Sequence, residues 1–454
     1  MKRRNFISSL GAISALGATQ SFAAPFNIIR DMRVSPNDKL RFATIGMGIQ
    51  GHYDTQAALK ATGVEFAAAA DLYKGRLTRV NEVFGKDIIT SLDYREILNR
   101  KDIDAVLIAT PDHWHQRITL DAFKAGKAVY CEKPMVHSIN QGLPVIEAWK
   151  KSGNTMQVGS QYVNSTPFDE AKRLIKEGEI GQVNFIEATF DRFSTIGAWN
   201  YSIPTDASPE TVDWDTFIGD AQKRPFEAKR FFRWRNYRDY GTGVAGDLFV
   251  HLITGVHHIM GSHGPERIFA SGQQSYWKDG RDIPDVLVST FDYPKNAQHE
   301  QFQMVLRVNF ANAGSISNIT RIVGSEGQME VNNRSLKITK RTLPVAPGYG
   351  NYDSYFTFSE QQQAEFKKEY DAKYSEADRV TAPMKEIKFD APQGEDMHVR
   401  HFEDFFSNTR AKSQKTIQDP IVGFRAAAPV LACNDSYFKQ KVIKWDADQM
   451  KVKK

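Results

Sequence analysis

The stretch LRFATIGMGIQGHYDTQAALKATGVEFAAAAD, residues 40–71, decides how this chain folds. LRFATIG reads as a buried strand, the glycines Gly46, Gly48 and Gly51 follow it at once, and HYDTQAALKATG has the composition of a helix. A second strand, VEFAAAAD, ends on Asp71, 20 residues past the third glycine. Strand, glycine turn, helix, strand and acid, in that order, make the dinucleotide-binding form of a parallel βαβ unit. Each part has a mechanical reason. Gly46 permits the tight turn, Gly48 lets a pyrophosphate approach the backbone beside Ile49 and Gln50, and Gly51 lets helix and strand pack closely. The helix N-terminus then faces the phosphates. An acid at Asp71 favours the free 2′-hydroxyl of NAD and repels the 2′-phosphate of NADP, so NAD is the expected cofactor and NADP the lesser one. Arg76 reads as a solvated residue of the following helix.

Downstream, DAVLIATP (104–111) and AVYCEKP (128–134) are two further buried strands, with the helical HWHQRITLDAFKAGK between them. Ligands of a doubly wound sheet sit at the carboxyl ends of its strands. That rule gathers Thr110, Pro111, Glu132, Lys133 and Pro134 at the nicotinamide end, with Trp114 and His115 bordering the pocket. The first domain is expected to span residues 38–160.

From residue 161 to 445 the pattern changes. FDEAKRLIKEGEIGQVNFIEATF reads as helix, turn and strand. An all-β run follows at ERIFASGQQSYW, VLVSTFDY, QMVLRVNF, SISNITRIVGS and GQMEVNN, and two helices close the chain at HVRHFEDFFSNTRA and VGFRAAAPVLACNDSYFKQK. Within GTGVAGDLFVHLITGVHH, Asp247 and His251 stand four apart and so share one helix face. A histidine is poised to accept the proton that alcohol oxidation releases, and a nearby carboxylate can orient it or bind a hydroxyl. His258 returns to roughly the same face, and FFRWRNYRDYGTG offers Trp234 or Tyr237 to stack on a sugar ring and Arg235 to bond its hydroxyls.

GMGIQG, ATPDHWH and above all CEKP (Cys131–Pro134) resemble the glucose-fructose oxidoreductase and inositol dehydrogenase (Gfo/Idh/MocA) family. The resemblance implies an N-terminal Rossmann domain and a C-terminal α/β domain with an open, mostly antiparallel sheet, through which subunits pair as homo-oligomers. It covers nearly the whole chain after the leader and thins between about 335 and 390. By resemblance Lys133 binds the hydroxyl being oxidised and contacts the cofactor, and Asp247 and His251 form the acid/base motif. Many members carry a further Asp where this chain has Thr254.

The chain has 454 residues, with 41% hydrophobic and 25% charged, which excludes disorder and leaves material for two substantial domains. Its net charge of +5 owes three positives to Lys2, Arg3 and Arg4, and the rest is nearly neutral, which gives nucleic-acid binding no support. Residues 1–24 have a basic start, a short apolar stretch and small residues near Ala23, the layout of a secretory signal. Arg3-Arg4 before Asn5-Phe6-Ile7 resembles the twin-arginine signal, which exports folded proteins, so a periplasmic location is expected, with no stable membrane span. Two cysteines, Cys131 and Cys433, are too few for a thiolate zinc cluster, and His113 and His115 lack any HExxH context, so no metal is expected.

The leading expectation is an exported NAD(P)-dependent oxidoreductase of a sugar or polyol hydroxyl with a tightly held cofactor. The same lysine and histidine would serve an NAD-dependent glycosidase that oxidises its sugar transiently. A non-catalytic sugar-binding protein is the third reading.

Overall fold

The computed structural model describes residues 39–314 and 317–453. The leader, residues 1–24, and the export reading that rests on it lie outside the described residues.

The first domain is a six-stranded parallel sheet of β1 (Leu40–Ile45), β2 (Val64–Ala70), β3 (Ile89–Ser91), β4 (Ala105–Ile108), β5 (Ala128–Glu132) and β6 (Met156–Gly159). The strand order is β3-β2-β1-β4-β5-β6, so the direction of winding reverses between β1 and β4 and a crevice opens there. Helices α1 (Ile49–Ala58), α2 (Lys74–Phe84), α3 (Tyr94–Leu98), α4 (His115–Lys124) and α5 (Gly142–Ser152) make the crossovers. Covered on both faces, the central strands are apolar throughout: all of β4 and β5 is buried.

The second domain opens with α6 (Thr166–Lys176) and β7 (Val183–Phe190). Two short helices, α7 (Trp214–Ile218) and α8 (Ala228–Phe232), precede α9 (Val250–Met260). The remaining strands are β8 (Arg267–Gln273), β9 (Val286–Tyr293), β10 (Phe302–Asn309), β11 (Asn318–Gly324), β12 (Gly327–Val331) and β13 (Ser335–Lys340). After α10 (Glu360–Lys373) come β14 (Lys385–Asp390), α11 (Met397–Arg410), α12 (Pro420–Lys439), β15 (Ile443–Asp446) and β16 (Lys451–Val452). Together these strands form a ten-stranded sheet in the order β14-β13-β12-β11-β7-β10-β9-β8-β15-β16, antiparallel except where β7 meets β10. Alternation along β9 and β10 buries every second side chain, as a sheet with one covered face requires.

The strand expected over ERIFASGQQSYW ends early. The buried Asp285 carboxylate accepts the N–H groups of Ser275, Tyr276 and Trp277 at 2.6–2.8 Å and folds that end into a turn. Helix α11, from the second half of the sequence, packs on the first domain: Phe402, Phe405 and Phe406 join Phe42, Phe66 and Tyr130 in one cluster.

His401 on α11 seals that contact. Its Nε2 donates to the Val158 carbonyl at 2.9 Å and its Nδ1 meets the Asn164 side chain. Burial pushes its pKa down from 6.5 to about 4, against the Val158 carbonyl that favours the cation. Below pH 6.5 the unfolded chain therefore takes up a proton that the native fold refuses, and stability falls as pH drops toward 4. This site alone contributes roughly 3 kcal/mol of that loss. We predict that thermal unfolding followed from about pH 7 to about pH 4 declines less steeply in His401→Gln than in the parent, though the variant is weaker at neutral pH. Parallel slopes would mean that the ring titrates normally in the fold.

Candidate active site

The glycine turn is sterically closed except where a dinucleotide needs room. Gly46 has φ +95°, and a Cβ there would stand 2.7 Å from the Ala109–Thr110 backbone. One on Gly51 would meet the Gly46 carbonyl at 1.9 Å. Over Gly48 the nearest atoms belong to the Arg76 guanidinium, at 3.7–3.9 Å, which leaves the backbone open to a pyrophosphate. Asp71 is bound into the turn: Oδ2 accepts from Met47 N–H at 2.7 Å and Oδ1 from Tyr73 N–H at 2.9 Å. The Thr110 hydroxyl, past the end of β4, is buried with no partner among the described residues. Ile49, Gln50, Thr110 and Pro111 line a cleft of about 880 Å³ that continues from this turn. These residues fit NAD.

The far wall of the cleft comes from the second domain: Tyr201, Phe231, Phe232, Trp234 and Arg235. It is tied directly to the residues after Asp71. Lys74 N–H donates to Thr211 O at 3.0 Å, Asp213 N–H donates to Leu72 O at 2.9 Å, and the Tyr73 hydroxyl donates to Asp206 at 2.5 Å. Arg76 is not the solvated residue the sequence suggests. Its guanidinium lies 5.4–5.5 Å from the Phe231 and Phe232 ring centroids and 3.4 Å from Asp71, because the second domain folds over it.

Lys133 Nζ donates to Asp247 Oδ1 at 2.8 Å and to the Asp247 carbonyl at 3.0 Å. Arg235 Nε donates to the same Oδ1 at 3.2 Å. Asp247 lies in a π-helical turn, Ala245–Phe249, immediately before α9, a local widening often found at functional sites. The turn is held from outside: the Asp112 carboxylate accepts from the Thr242 N–H and hydroxyl, and Asn434 donates to the Thr242 carbonyl. His251, one turn on, stacks beside Tyr162 with centroids 5.1 Å apart, and its buried Nδ1 has no partner among the described residues. The carboxylate of Asp247 thus pairs with the lysine and the arginine, and no hydrogen bond joins it to His251.

Charge sets the protonation states. Burial raises the cost of ionising Asp247, but Lys133 and Arg235 outweigh it and hold its pKa well below the carboxylate range. Burial, then the Lys133 cation, pushes His251 well below its ordinary value, so the imidazole is neutral and ready to accept a proton. Glu132 faces inward: Gln161 Nε2 donates to it at 2.9 Å and Lys133 N–H at 3.2 Å, while burial drives its pKa to about 7. It sets the backbone of Lys133 from beneath and does not line the cleft.

Some expected residues are elsewhere. His115 is buried behind the strand ends, its ring nitrogens 2.7 Å and 2.9 Å from the Pro134 and Thr110 carbonyls, so it clamps the ends of β5 and β4 together and does not line the cleft. His258 turns away to Asp169 on α6 at 2.9 Å. Trp234 and Arg235 do line the cleft, whereas Tyr237 is buried under Arg230. Trp114 lines it too, its indole N–H bonded to Phe217 O. Both cysteine thiols are free and buried. Among the described residues there is no cluster of three or more His, Cys, Asp or Glu placed to hold a metal, and no helix is long and apolar enough to cross a membrane.

Two family models match the chain. Residues 40–160 match the NAD-binding Rossmann fold of the Gfo/Idh/MocA oxidoreductase family, and residues 165–276 match that family's C-terminal alpha/beta domain. Together they take in just over half the chain, which belongs to this family. Inositol 2-dehydrogenase of Salmonella typhimurium (strain LT2) is 29% identical over 159 residues, 35% of this chain and 47% of that protein. Glycosyl hydrolase family 109 protein 1 of Shewanella sp. (strain MR-4) is 25% identical over 208 residues, 41% of this chain and 45% of its own. The chain thus spans less than half the length of these curated relatives. A solved levoglucosan dehydrogenase in complex with NADH and levoglucosan shares the fold, with TM-score 0.62, 19% identity, and coverage of 89% of this chain and 99% of that one.

Asp71 gives a test with two readouts. Asp71→Ala should weaken NAD binding and narrow its preference over NADP, and should also lower the melting temperature, because two buried N–H groups lose their acceptor at about 1–3 kcal/mol each. Titration with both dinucleotides measures the first effect and calorimetry the second. Equal affinity of the parent protein for NAD and NADP would remove Asp71 from cofactor selection.

Proposed function

We propose that this protein oxidises a hydroxyl of a sugar or polyol, using NAD that it holds through many turnovers. The observation that carries this reading is the convergence of Lys133 and Arg235 on Asp247, one helical turn from His251, with Arg235 lining the cleft that begins in the glycine turn. Bound NAD would accept a hydride from the substrate carbon. Lys133, fixed by two bonds to Asp247, has a remaining N–H to donate to the substrate oxygen, and its charge stabilises that oxygen as the proton leaves. Neutral His251 takes up the proton. Arg235 keeps Asp247 ionised, which keeps Lys133 aimed.

Retention of the cofactor is supported by the far wall, whose backbone bonds to Leu72 and Lys74 lie beside the ribose end of the cleft. Residues 1–24 act, in this reading, as a twin-arginine leader that carries the loaded protein to the periplasm, where released NADH would not be replaced. The hydride then returns either to the same sugar or to a second one. A glycosidase that oxidises its sugar transiently is the second reading, favoured by the similarity to a family 109 glycosyl hydrolase. Pairing of subunits through the ten-stranded sheet completes the proposal.

Two outcomes are expected. Lys133→Ala should abolish turnover while leaving NAD binding and folding nearly intact, since Arg235 still pairs with Asp247. His251→Ala should cost about 10²–10⁴ in rate. Near-normal kcat in Lys133→Ala would remove the lysine from the reaction.

Purified without added nicotinamide and then denatured, the protein should release NAD. A screen of free sugars and glycosides, read by nicotinamide absorbance and aglycone release, separates the two readings. Protein that arrives empty and yields stoichiometric free NADH would establish a simple dehydrogenase instead.

A further inference from the structure

Beyond β7 the chain passes beside His251, and two consecutive residues, Asp191 and Arg192, point in opposite directions. Asp191 is buried, its Oδ2 accepting from Arg307, Asn312 and Ser317. Arg192 has its backbone fixed, with its N–H donating to Asn309 O at 2.9 Å, and its guanidinium lies 5.0 Å from the Phe190 ring centroid. That same Phe190 ring lies 6.3 Å from the His251 ring. Arg192 Nη1 donates to Gly197 O at 3.1 Å. Among the described residues no carboxylate pairs with this guanidinium.

The local charge balance makes that unusual. Asp247 is already committed to Lys133 and Arg235, so Arg192 is a third cation acting on that carboxylate, half-buried and with no carboxylate partner among the described residues. Its charge is felt at Asp247, His251 and Tyr162 alike. Exposed surface arginines are indifferent to such a lack, but one inside a site pays for its partial desolvation unless an anion arrives. The loop that presents it is held rigidly: Trp199, fully buried, is kept at φ +63° against Phe310, a conformation a bulky residue adopts only under constraint. Cofactor phosphates do not supply the anion. They belong at the glycine turn of the first domain, whereas Arg192 follows β7 of the second and is absent from the lining of the cofactor cleft.

We infer that Arg192 forms the anion-binding end of the substrate site, so that the preferred sugar carries an oxyanion, a carboxylate or a sulfate ester, while its reacting carbon faces Lys133 and His251. The planar guanidinium fork suits either group, and a neutral hydroxyl gains far less from it. This inference rests on the carbohydrate reading above.

The test uses the purified full chain with its NAD and a panel that pairs neutral hexoses and hexosides with uronates and sulfated sugars of the same configuration. Binding is measured by calorimetry and reaction by the absorbance of the bound nicotinamide. The charged member of a matching pair should bind at least about tenfold tighter than the neutral one, the worth of a single charge-assisted contact. Arg192→Gln should remove that advantage while leaving neutral sugars within about twofold, and Arg192→Lys should restore part of it. Comparison of the uronate and sulfate arms identifies which oxyanion is taken.

Equal binding of charged and neutral members by the parent protein overturns the inference, as does an Arg192→Gln variant that weakens both alike. If neutral sugars reduce the bound NAD while charged ones do not bind, the inference fails and the oxidoreductase reading stands. If charged sugars bind with the Arg192 dependence but none changes the nicotinamide absorbance, the anion site stands and the oxidation reading fails.

Discussion

The ion pair of Lys133 with Asp247 spans the two domains, and the active-site geometry depends on it. Both side chains are nearly buried, with 11% and 9% of their surface exposed. Taking two charges out of water is costly, and such a pair is maintained only when geometry and further hydrogen bonds compensate. Here the compensation is specific: the ammonium bonds to the Asp247 carbonyl as well as the carboxylate, and Arg235 occupies the same oxygen. The lysine therefore registers both the side chain and the backbone of the turn across from it. The end of β5 in the first domain and the turn before α9 in the second are joined by a contact that neither domain makes alone.

That contact needs a turn of unusual shape. In a regular helix Asp247 and His251 would share a face and invite a carboxylate–histidine bond. The π-helical turn gives Asp247 to the lysine instead and leaves the His251 ring beside Tyr162 and Phe190, its Nδ1 without a partner among the described residues. A histidine bonded to a carboxylate is a stronger base, but one beside three cations is neutral over a wider range of pH. The arrangement trades basic strength for a ring that stays neutral. Thr242, held by Asp112 from the first domain and Asn434 from α12, fixes where the turn begins.

What was legible in the sequence was what is contiguous in it. The glycine turn, Asp71, the strand ends at Thr110 and Glu132, and the π turn's neighbourhood are each short runs whose chemistry reads locally. The fold class followed from the change between fully apolar strands and alternating ones. Less legible was anything made by distant partners. Lys133 and Asp247 are separated by 114 residues. Arg76 looked solvated because the rings of Phe231 and Phe232 that cover it arrive from the other domain. His115 sat in the right motif but turns its ring between two carbonyls of its own domain. Helix α11 carries aromatic spacing that fits any core, and nothing local shows that its phenylalanines complete the first domain. Arg192 gave no signal at all: its meaning lies in having no carboxylate partner among the described residues, which only a packed structure reveals.

The cation excess suits both of the proposed reactions equally. Positive charge beside the substrate oxygen lowers the cost of the alkoxide as the hydride departs. Once that carbon has become a carbonyl, the same charge stabilises an enolate formed by loss of the neighbouring proton, which is the step a redox-neutral elimination requires. Lys133 and its neighbours therefore cannot distinguish net oxidation from transient oxidation, because both pass through oxygen-centred negative charge at one place. The distinction falls to the opposite end of the cleft. There the second domain's wall is joined to Leu72 and Lys74 through main-chain bonds, and Arg76 is clamped between Asp71 and two phenylalanines. Main-chain bonds of this kind are not released by a side-chain rotation. On the proposed reading, a dinucleotide beneath them would be retained until the wall separates from the strand end. On the proposed reading, each turnover would be completed by returning the hydride rather than by exchanging the cofactor.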